Sequence, residues 1–182
     1  KFSYQLFSLM IFLNLGLYFF SKELILIFSS KNYIEGFYLV PILGLSYVFS
    51  SQYRLFTNVI SYYKKTYLIS ISAIVQSFII VILNLIFIPI YGVIVVAIIA
   101  VFSTFIYTLL IIYFSKTLTR LNINFSKFFI LILLFILIVF IDFYFPINTF
   151  GISIFKIIYF LLLIYLFFNL LNKYVWNNRL RF

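Results

Sequence analysis

Long apolar runs, separated by short polar or helix-breaking stretches, dominate the chain. A helix needs about 20 mostly apolar residues to cross about 30 Å of hydrocarbon, so these runs predict membrane-spanning helices. Six runs are long enough: 2–20 (followed by a short apolar piece at 24–28), 36–62, 67–88, 93–114, 128–145 and 152–171. Unbroken apolar runs such as Phe128–Ile141 argue against the alternating pattern of a membrane β-barrel. The pattern therefore predicts an all-α, polytopic transmembrane helical bundle with six membrane spans.

The connections between these runs are short. Tyr63–Thr66 joins the second run to the third, and Pro89–Gly92 joins the third to the fourth. We expect the third helix to end at residue 88 and to be closed by Pro89 and Gly92, because proline cannot donate a backbone hydrogen bond. Short connections predict that consecutive helices pack as antiparallel neighbours.

The second run carries a polar stripe inside its apolar sequence. At 100° per residue, its polar side chains fall within an arc of about 120°. They are Ser46, Ser50, Arg54, Thr57, Asn58, Ser61 and Lys65. The opposite side of the helix is apolar except for Gln52. Such a stripe should face protein or water rather than lipid, because buried charge is costly in hydrocarbon.

Two interpretations of Arg54 stay open. The residue lies about two turns, or about 12 Å, from the end of its helix near Tyr62. Its guanidinium either bonds to carbonyl groups of a neighbouring helix or faces a hydrated cavity and holds a phosphate. The planar fork of arginine suits phosphate better than the point charge of lysine does.

The third and fourth runs also place small and polar residues on single faces. In membranes such faces let helices approach closely, so we expect both to be packing faces. The first comprises Thr66, Ser70, Ala73, Ser77 and Asn84, and the second comprises Ala97, Ala100, Thr104 and Thr108.

Composition agrees with a membrane protein and narrows the chemistry. The chain is 66% hydrophobic and 9% charged, whereas soluble domains carry about 25% charged residues. This excludes an ordinary soluble enzyme and a disordered chain. There is no Cys and no His, and the three acidic residues are not clustered in sequence. We therefore expect no catalytic residues, no metal ligands, no cofactor and no enzyme activity.

The net charge of +10 reports membrane topology rather than nucleic-acid binding. Nine of the thirteen basic residues lie on one side of the predicted membrane: Lys1, Lys64, Lys65, Lys116, Arg120, Lys127, Lys173, Arg179 and Arg181. This bias predicts that the connection at 63–66 and the C-terminus are cytoplasmic. Because the chain starts inside an apolar run without Met, we expect it to be the C-terminal piece of a longer protein.

Several short motifs carry a family resemblance. They are Ser21–Phe28 followed by Tyr33, then Pro41-Ile42-Leu43, the basic Lys64-Lys65-Thr66 and, most distinctively, Asn84–Gly92. Over residues 20–115 the chain resembles the C-terminal part of polysaccharide flippases. These are the O-antigen (Wzx-type) transporters of the multidrug/oligosaccharidyl-lipid/polysaccharide exporter superfamily.

The resemblance implies a two-lobed exporter fold and its activity. Residues 1–115 would supply the last four core helices of the C-terminal lobe, and 116–182 a peripheral helix pair and a basic cytoplasmic tail. The missing N-terminal lobe would complete the transporter. The substrate would be an undecaprenyl-pyrophosphate-linked oligosaccharide, flipped across the bacterial cytoplasmic (inner) membrane in O-antigen lipopolysaccharide or capsular polysaccharide biosynthesis. Arg54 would hold the phosphates, Ser50, Asn58 and Ser61 would offer hydrogen bonds, and the lipid tail would stay among membrane lipids.

Two other functions fit the same composition. A membrane-embedded polysaccharide polymerase or ligase of the same pathway would need a sizeable outer loop, whereas the longest outer connection here is about 21–35. A drug or ion exporter of the same fold would need core carboxylates, and Glu23, Glu35 and Asp142 lie outside the predicted spans or near an interface.

Overall fold

The computed structural model describes residues 2–28 and 36–119, together with seven isolated positions (132, 133, 135, 136, 158, 161 and 165). These residues form four α-helices and no strand. The helices are α1 (Phe2–Phe28), α2 (Leu39–Tyr62), α3 (Tyr67–Tyr91) and α4 (Ile94–Leu118), and a single 3₁₀ turn at 36–38 precedes α2. The all-helical prediction is confirmed for this part of the chain.

The chain divides into two compact units, Lys1–Ile138 and Val139–Phe182, and the four helices belong to the first. The predicted spans 128–145 and 152–171 lie outside the described residues apart from the seven isolated positions. The predicted division into 1–115 and 116–182 stays a prediction.

Three of the described helices are long and apolar enough to cross a membrane: Ser3–Phe28 of α1, all of α3 and all of α4. Helix α2 has 24 residues, which is a sufficient length, but its polar stripe lowers its hydropathy. The sequence thus indicates six spans, whereas the structure supports three by length and composition. A membrane protein is the conclusion that both share.

Helix α1 is longer than the first apolar run. It continues unbroken through the residues expected to form a separate short piece at 24–28. Its 27 residues span about 40 Å, more than the hydrocarbon core of about 30 Å. The helix is therefore long enough for its last turns, which carry Lys22 and Glu23, to extend beyond the hydrocarbon. Within these turns the Ser21 hydroxyl donates to the Tyr18 carbonyl (3.0 Å).

Helix α3 also runs further than its predicted end at residue 88. Pro89 lies inside the last turn, and the helix ends at Tyr91. A proline so near the end removes only one helical hydrogen bond, so it is tolerated there. Of the two predicted closing residues, Gly92 is the one that ends the helix: its φ of 71° lies in the left-handed region, and its amide donates to the Ile88 carbonyl (2.9 Å).

The described helices pack in the order α1, α2, α4, α3. Helices α2 and α4 form the central pair, α1 packs on α2, and α3 packs on α4. Helices α2 and α3 barely touch, although only Tyr63–Thr66 separates them. The expectation that this short connection joins packed neighbours is wrong, because α3 docks on α4 instead.

The small-residue face predicted for α4 lies inside the group of described helices. Ala97, Thr104 and Thr108 are buried and Ala100 is half-buried, which confirms that face. The Thr108 hydroxyl lies 3.2 Å from the carbonyl oxygen of Phe49 on α2. The adjoining apolar core consists of Phe56, Ile60, Tyr107, Ile111 and Ile112.

The packing face predicted for α3 is wrong. Ser70, Ala73 and Ser77 are exposed, whereas Ser72 is buried and Gln76 bonds to α4. The Gln76 side-chain amide donates to the hydroxyl of Thr104 (3.4 Å). Only 6% of the most apolar 18-residue stretch of α3 is buried, against 39% for the corresponding stretch of α4. Helix α3 therefore lies at one edge of this group of helices.

Helices α1 and α2 approach closely where Asn14 meets Gly44. Asn14 is 2% exposed, and its side-chain amide donates to the Pro41 carbonyl (3.2 Å). Its Oδ1 atom has no hydrogen-bond partner and lies directly against Gly44, where an added Cβ would overlap it. The close approach is possible because glycine has no side chain. A Cα hydrogen of Gly44, which is a weak donor, faces the amide oxygen of Asn14.

We predict that Gly44→Ala destabilises the protein by about 1–3 kcal/mol, because the new methyl group must displace Asn14. The measurement is thermal unfolding of the purified protein in detergent. Gly36→Ala is the matched control, since a Cβ there meets only the Leu39 side chain at 4.0 Å. Equal unfolding temperatures for the two variants would contradict the close-approach interpretation.

Candidate functional site

The polar stripe of α2 faces away from both helices that pack against α2. Six residues within the helix form it, and we call them the polar face of α2: Ser46, Ser50, Arg54, Thr57, Asn58 and Ser61. Arg54, Asn58 and Ser61 are exposed and the other three are half-exposed, whereas Val48, Phe56 and Ile60 on other sides are buried. Lys65, assigned to the same stripe from the sequence, lies beyond the helix end at Tyr62.

Arg54 is the only basic residue within α2, and its side chain is exposed. Within the part of the chain that the structure describes, its guanidinium makes no hydrogen bond and no ion pair. None of the described helices therefore supplies a carbonyl acceptor to the Arg54 guanidinium. If α2 spans the membrane as the sequence predicts, Arg54 needs water, a ligand or further protein around it, because a charge in hydrocarbon costs several kcal/mol.

The hydroxyl groups of the polar face differ in what they can offer. The Ser50 hydroxyl donates to the Ser46 carbonyl (2.9 Å), and the Thr57 hydroxyl donates to the Arg54 carbonyl (2.9 Å). Their oxygens can still accept a hydrogen bond, but their protons are used inside the helix. Ser50 can donate to a phosphate, as expected, only after its hydroxyl breaks the hydrogen bond to the Ser46 carbonyl.

Arg54, Asn58 and Ser61 supply the remaining donors. The spacing of four and then three residues places them on one line along the helix. Asn58 and Ser61 are exposed, and their side chains make no hydrogen bond within residues 2–28 and 36–119. With Ser50 one turn before Arg54, the four predicted site residues form a line about 16 Å long.

A buried polar contact behind this line sets the rotation of α2. Gln52, the exception on the apolar side of α2, is 3% exposed and accepts a hydrogen bond from the Ser3 hydroxyl of α1 (2.6 Å). Its side-chain amide lies 3.3 Å from the Ser51 hydroxyl. From the sequence, Gln52 is recognisable as a lone polar residue on the apolar side of the helix, but its partner Ser3 is not. With Gln52 turned towards α1, the polar face must point outwards.

The electrostatics of the polar face favour an anion. It carries one positive charge and neutral donors, and the one acidic residue in the described ranges, Glu23, lies on α1. A search of the described residues finds no group of His, Cys, Asp or Glu that could hold a metal ion. A phosphate or other oxyanion is therefore the ligand class that the side chains of this face can bind.

Comparisons with family models, with curated proteins and with solved structures find no match. The flippase resemblance of the short motifs therefore stays a prediction.

We predict that the polar face of α2 is reached by water within the membrane. The chain has no native Cys, so single-Cys variants report one position each. Asn58→Cys should react readily with a charged, membrane-impermeant thiol reagent, because the thiolate that reacts requires water. Phe78→Cys on α3 is the control: Phe78 is also exposed, but on an apolar surface, and should stay unreactive.

Full labelling of both variants after denaturation checks that each thiol is intact. If Asn58→Cys in the folded protein were as unreactive as Phe78→Cys, lipid or protein would cover the polar face, and the hydrated interpretation would fail.

Proposed function

We propose that the chain is part of a transporter that moves an undecaprenyl-pyrophosphate-linked oligosaccharide across the bacterial cytoplasmic membrane, for O-antigen or capsular polysaccharide biosynthesis. The observation that carries the proposal is Arg54. It lies on the outward polar face of α2, about 12 Å from the helix end, with no acceptor among the described residues. A pyrophosphate offers the oxygens that its guanidinium fork can bind with two hydrogen bonds.

The line of donors along α2 supports a path rather than a single point of binding. Arg54 holds the pyrophosphate, and Asn58 and Ser61 offer hydrogen bonds to the phosphate oxygens or to sugar hydroxyls. Ser50 joins them when its hydroxyl leaves the Ser46 carbonyl. The polyprenyl tail stays in the bilayer, which the exposed apolar surface of α3 also contacts. The charged head of the substrate then crosses without entering hydrocarbon.

Transport suits the polar face of α2 better than chemistry does. None of its six residues is a nucleophile with a base beside it or a carboxylate that could act as an acid, so a polymerase or ligase has no catalytic group there. A drug or cation exporter needs negative charge to receive its substrate, and this face is positive. We therefore propose a non-enzymatic function with an anionic substrate.

The proposal includes a partner, the N-terminal lobe of the same transporter. One exposed polar face cannot enclose a substrate alone, and alternating access requires two bodies that move against each other. The short motifs at 21–28 and 84–92 support placing α1–α4 in the C-terminal lobe. The basic residues at 64 and 65 support a cytoplasmic location for the connection between α2 and α3.

We predict that Arg54→Ala abolishes export of glycan to the cell surface and that Arg54→Lys retains part of it, because lysine keeps the charge but loses the fork. The variants are made in the full-length protein. They are expressed in cells whose own flippase has been deleted, and surface glycan is measured together with the amount of each variant in the membrane.

Lys22→Ala is the control, since Lys22 is an exposed basic residue near the opposite end of the helix pair α1–α2 and should leave export unchanged. Normal surface glycan with Arg54→Ala would contradict the assignment. Single repeat units that reach the outer surface but stay unpolymerised in the Arg54→Ala variant would indicate the polymerase alternative instead.

A further inference from the structure

An apolar groove of about 440 Å³ lies between α3 and α4. Every described residue that lines it is apolar, and none of these residues comes from α2 or its polar face. On α3 the lining runs from Ile74 to Leu83, which is about 10–24 Å along the helix. Because α3 and α4 are both long and apolar enough to span a membrane, the groove lies at the depth of hydrocarbon.

The α4 wall of the groove continues as a stripe that becomes polar at one end. Phe102 and Ile106 line the groove. Leu109, Tyr113 and Lys116 follow at steps of three, four and three residues, which keeps them on the same helix face. Leu109 and Tyr113 are exposed, and Lys116 lies in the last turn of α4. This stripe thus passes from apolar groups through an exposed tyrosine to a lysine.

The α3 wall shows the same succession in the opposite chain direction. Phe78 and Val75 line the groove, and Ile71 and Tyr67 follow at steps of four residues towards the start of the helix. Both of the latter are exposed. Lys65, two residues before Tyr67, is exposed in the connection to α2.

The two polar ends lie at the same level. Leu68 and Ile69 at the start of α3 pack against the same core cluster as Phe114 and Leu118 at the end of α4. Each wall of the groove therefore ends, on the same side of the membrane, in a tyrosine followed by a lysine. Tyrosine is typical of the headgroup level, and lysine attracts anionic lipid there.

We propose that this groove is a binding site for an anionic phospholipid, with one acyl chain between α3 and α4 and the phosphate headgroup at the level of Lys65 and Lys116. The apolar lining that α3 and α4 supply favours an acyl chain at mid-depth, and the two basic residues at this level complement a headgroup with negative charge. A second copy of the chain docked symmetrically through the same groove would bring like-charged lysines together. The site does not depend on the transport proposal, because no residue of the polar face takes part in it.

The test uses fluorescence quenching by phospholipids with brominated acyl chains. The single native tryptophan is removed by Trp176→Phe, and a new one is placed in the groove by Phe78→Trp or, on the other wall, by Phe102→Trp. The full chain is reconstituted into vesicles that contain brominated phosphatidylglycerol or brominated phosphatidylcholine at the same mole fraction. We expect stronger quenching by the anionic lipid at both groove positions.

Substitution of either lysine by glutamine should lower this preference about fivefold, as expected for one basic residue near an anionic surface. The charge control is Lys22→Gln, which should leave the preference unchanged. The position control is Leu13→Trp, exposed midway along α1, where both lipids should quench equally. Equal quenching by both lipids in the groove would overturn the proposal. So would the absence of quenching by either lipid, because the groove would then be covered by protein.

Discussion

The cost of placing polar groups in hydrocarbon is the constraint on which this structure depends. Helix α2 carries a guanidinium and five neutral polar side chains along one face, and that face cannot meet lipid tails. Its other sides are therefore used for packing: one against α1 and one against α4. Helix α3 docks on α4, has few fully buried residues, and is apolar enough to face lipid. The same constraint thus orders the helices and leaves one polar surface uncovered by the described helices.

A few specific contacts hold α2 in the rotation that this constraint demands. Asn14 contacts Gly44 and donates a hydrogen bond to the Pro41 carbonyl, while Gln52 accepts one from Ser3 of α1. On the other side, Thr108 of α4 reaches a backbone carbonyl of α2. Because hydrophobic burial drives little helix association inside a membrane, close packing and hydrogen bonds of this kind fix the arrangement. The polar side chains that bond to a neighbouring helix lie inside the group of helices, whereas Arg54, Asn58 and Ser61 lie on its outer surface.

The sequence predicts individual helices better than it predicts their neighbours. The breaks at Lys64–Lys65 and Gly92 define α2, α3 and α4 to within a few residues, and the small-residue face of α4 packs as its spacing indicates. A helical wheel identifies a distinctive face but not the partner that covers it, so the short connection after α2 predicts the wrong neighbour. The polar face of α2 was predictable in the same way. The engagement of the Ser50 proton with its own helix was not, because it depends on a rotamer rather than on spacing.

We propose that the polar face of α2 binds the phosphates of a lipid-linked substrate. The most direct measurement is protection of that face by undecaprenyl pyrophosphate in the full-length protein that carries a single reporter thiol at position 58. We expect the lipid to slow the reaction of this thiol with a charged reagent, and we expect this protection to disappear when Arg54 is replaced by alanine. Undiminished protection without the Arg54 guanidinium, or no protection at all, would contradict it.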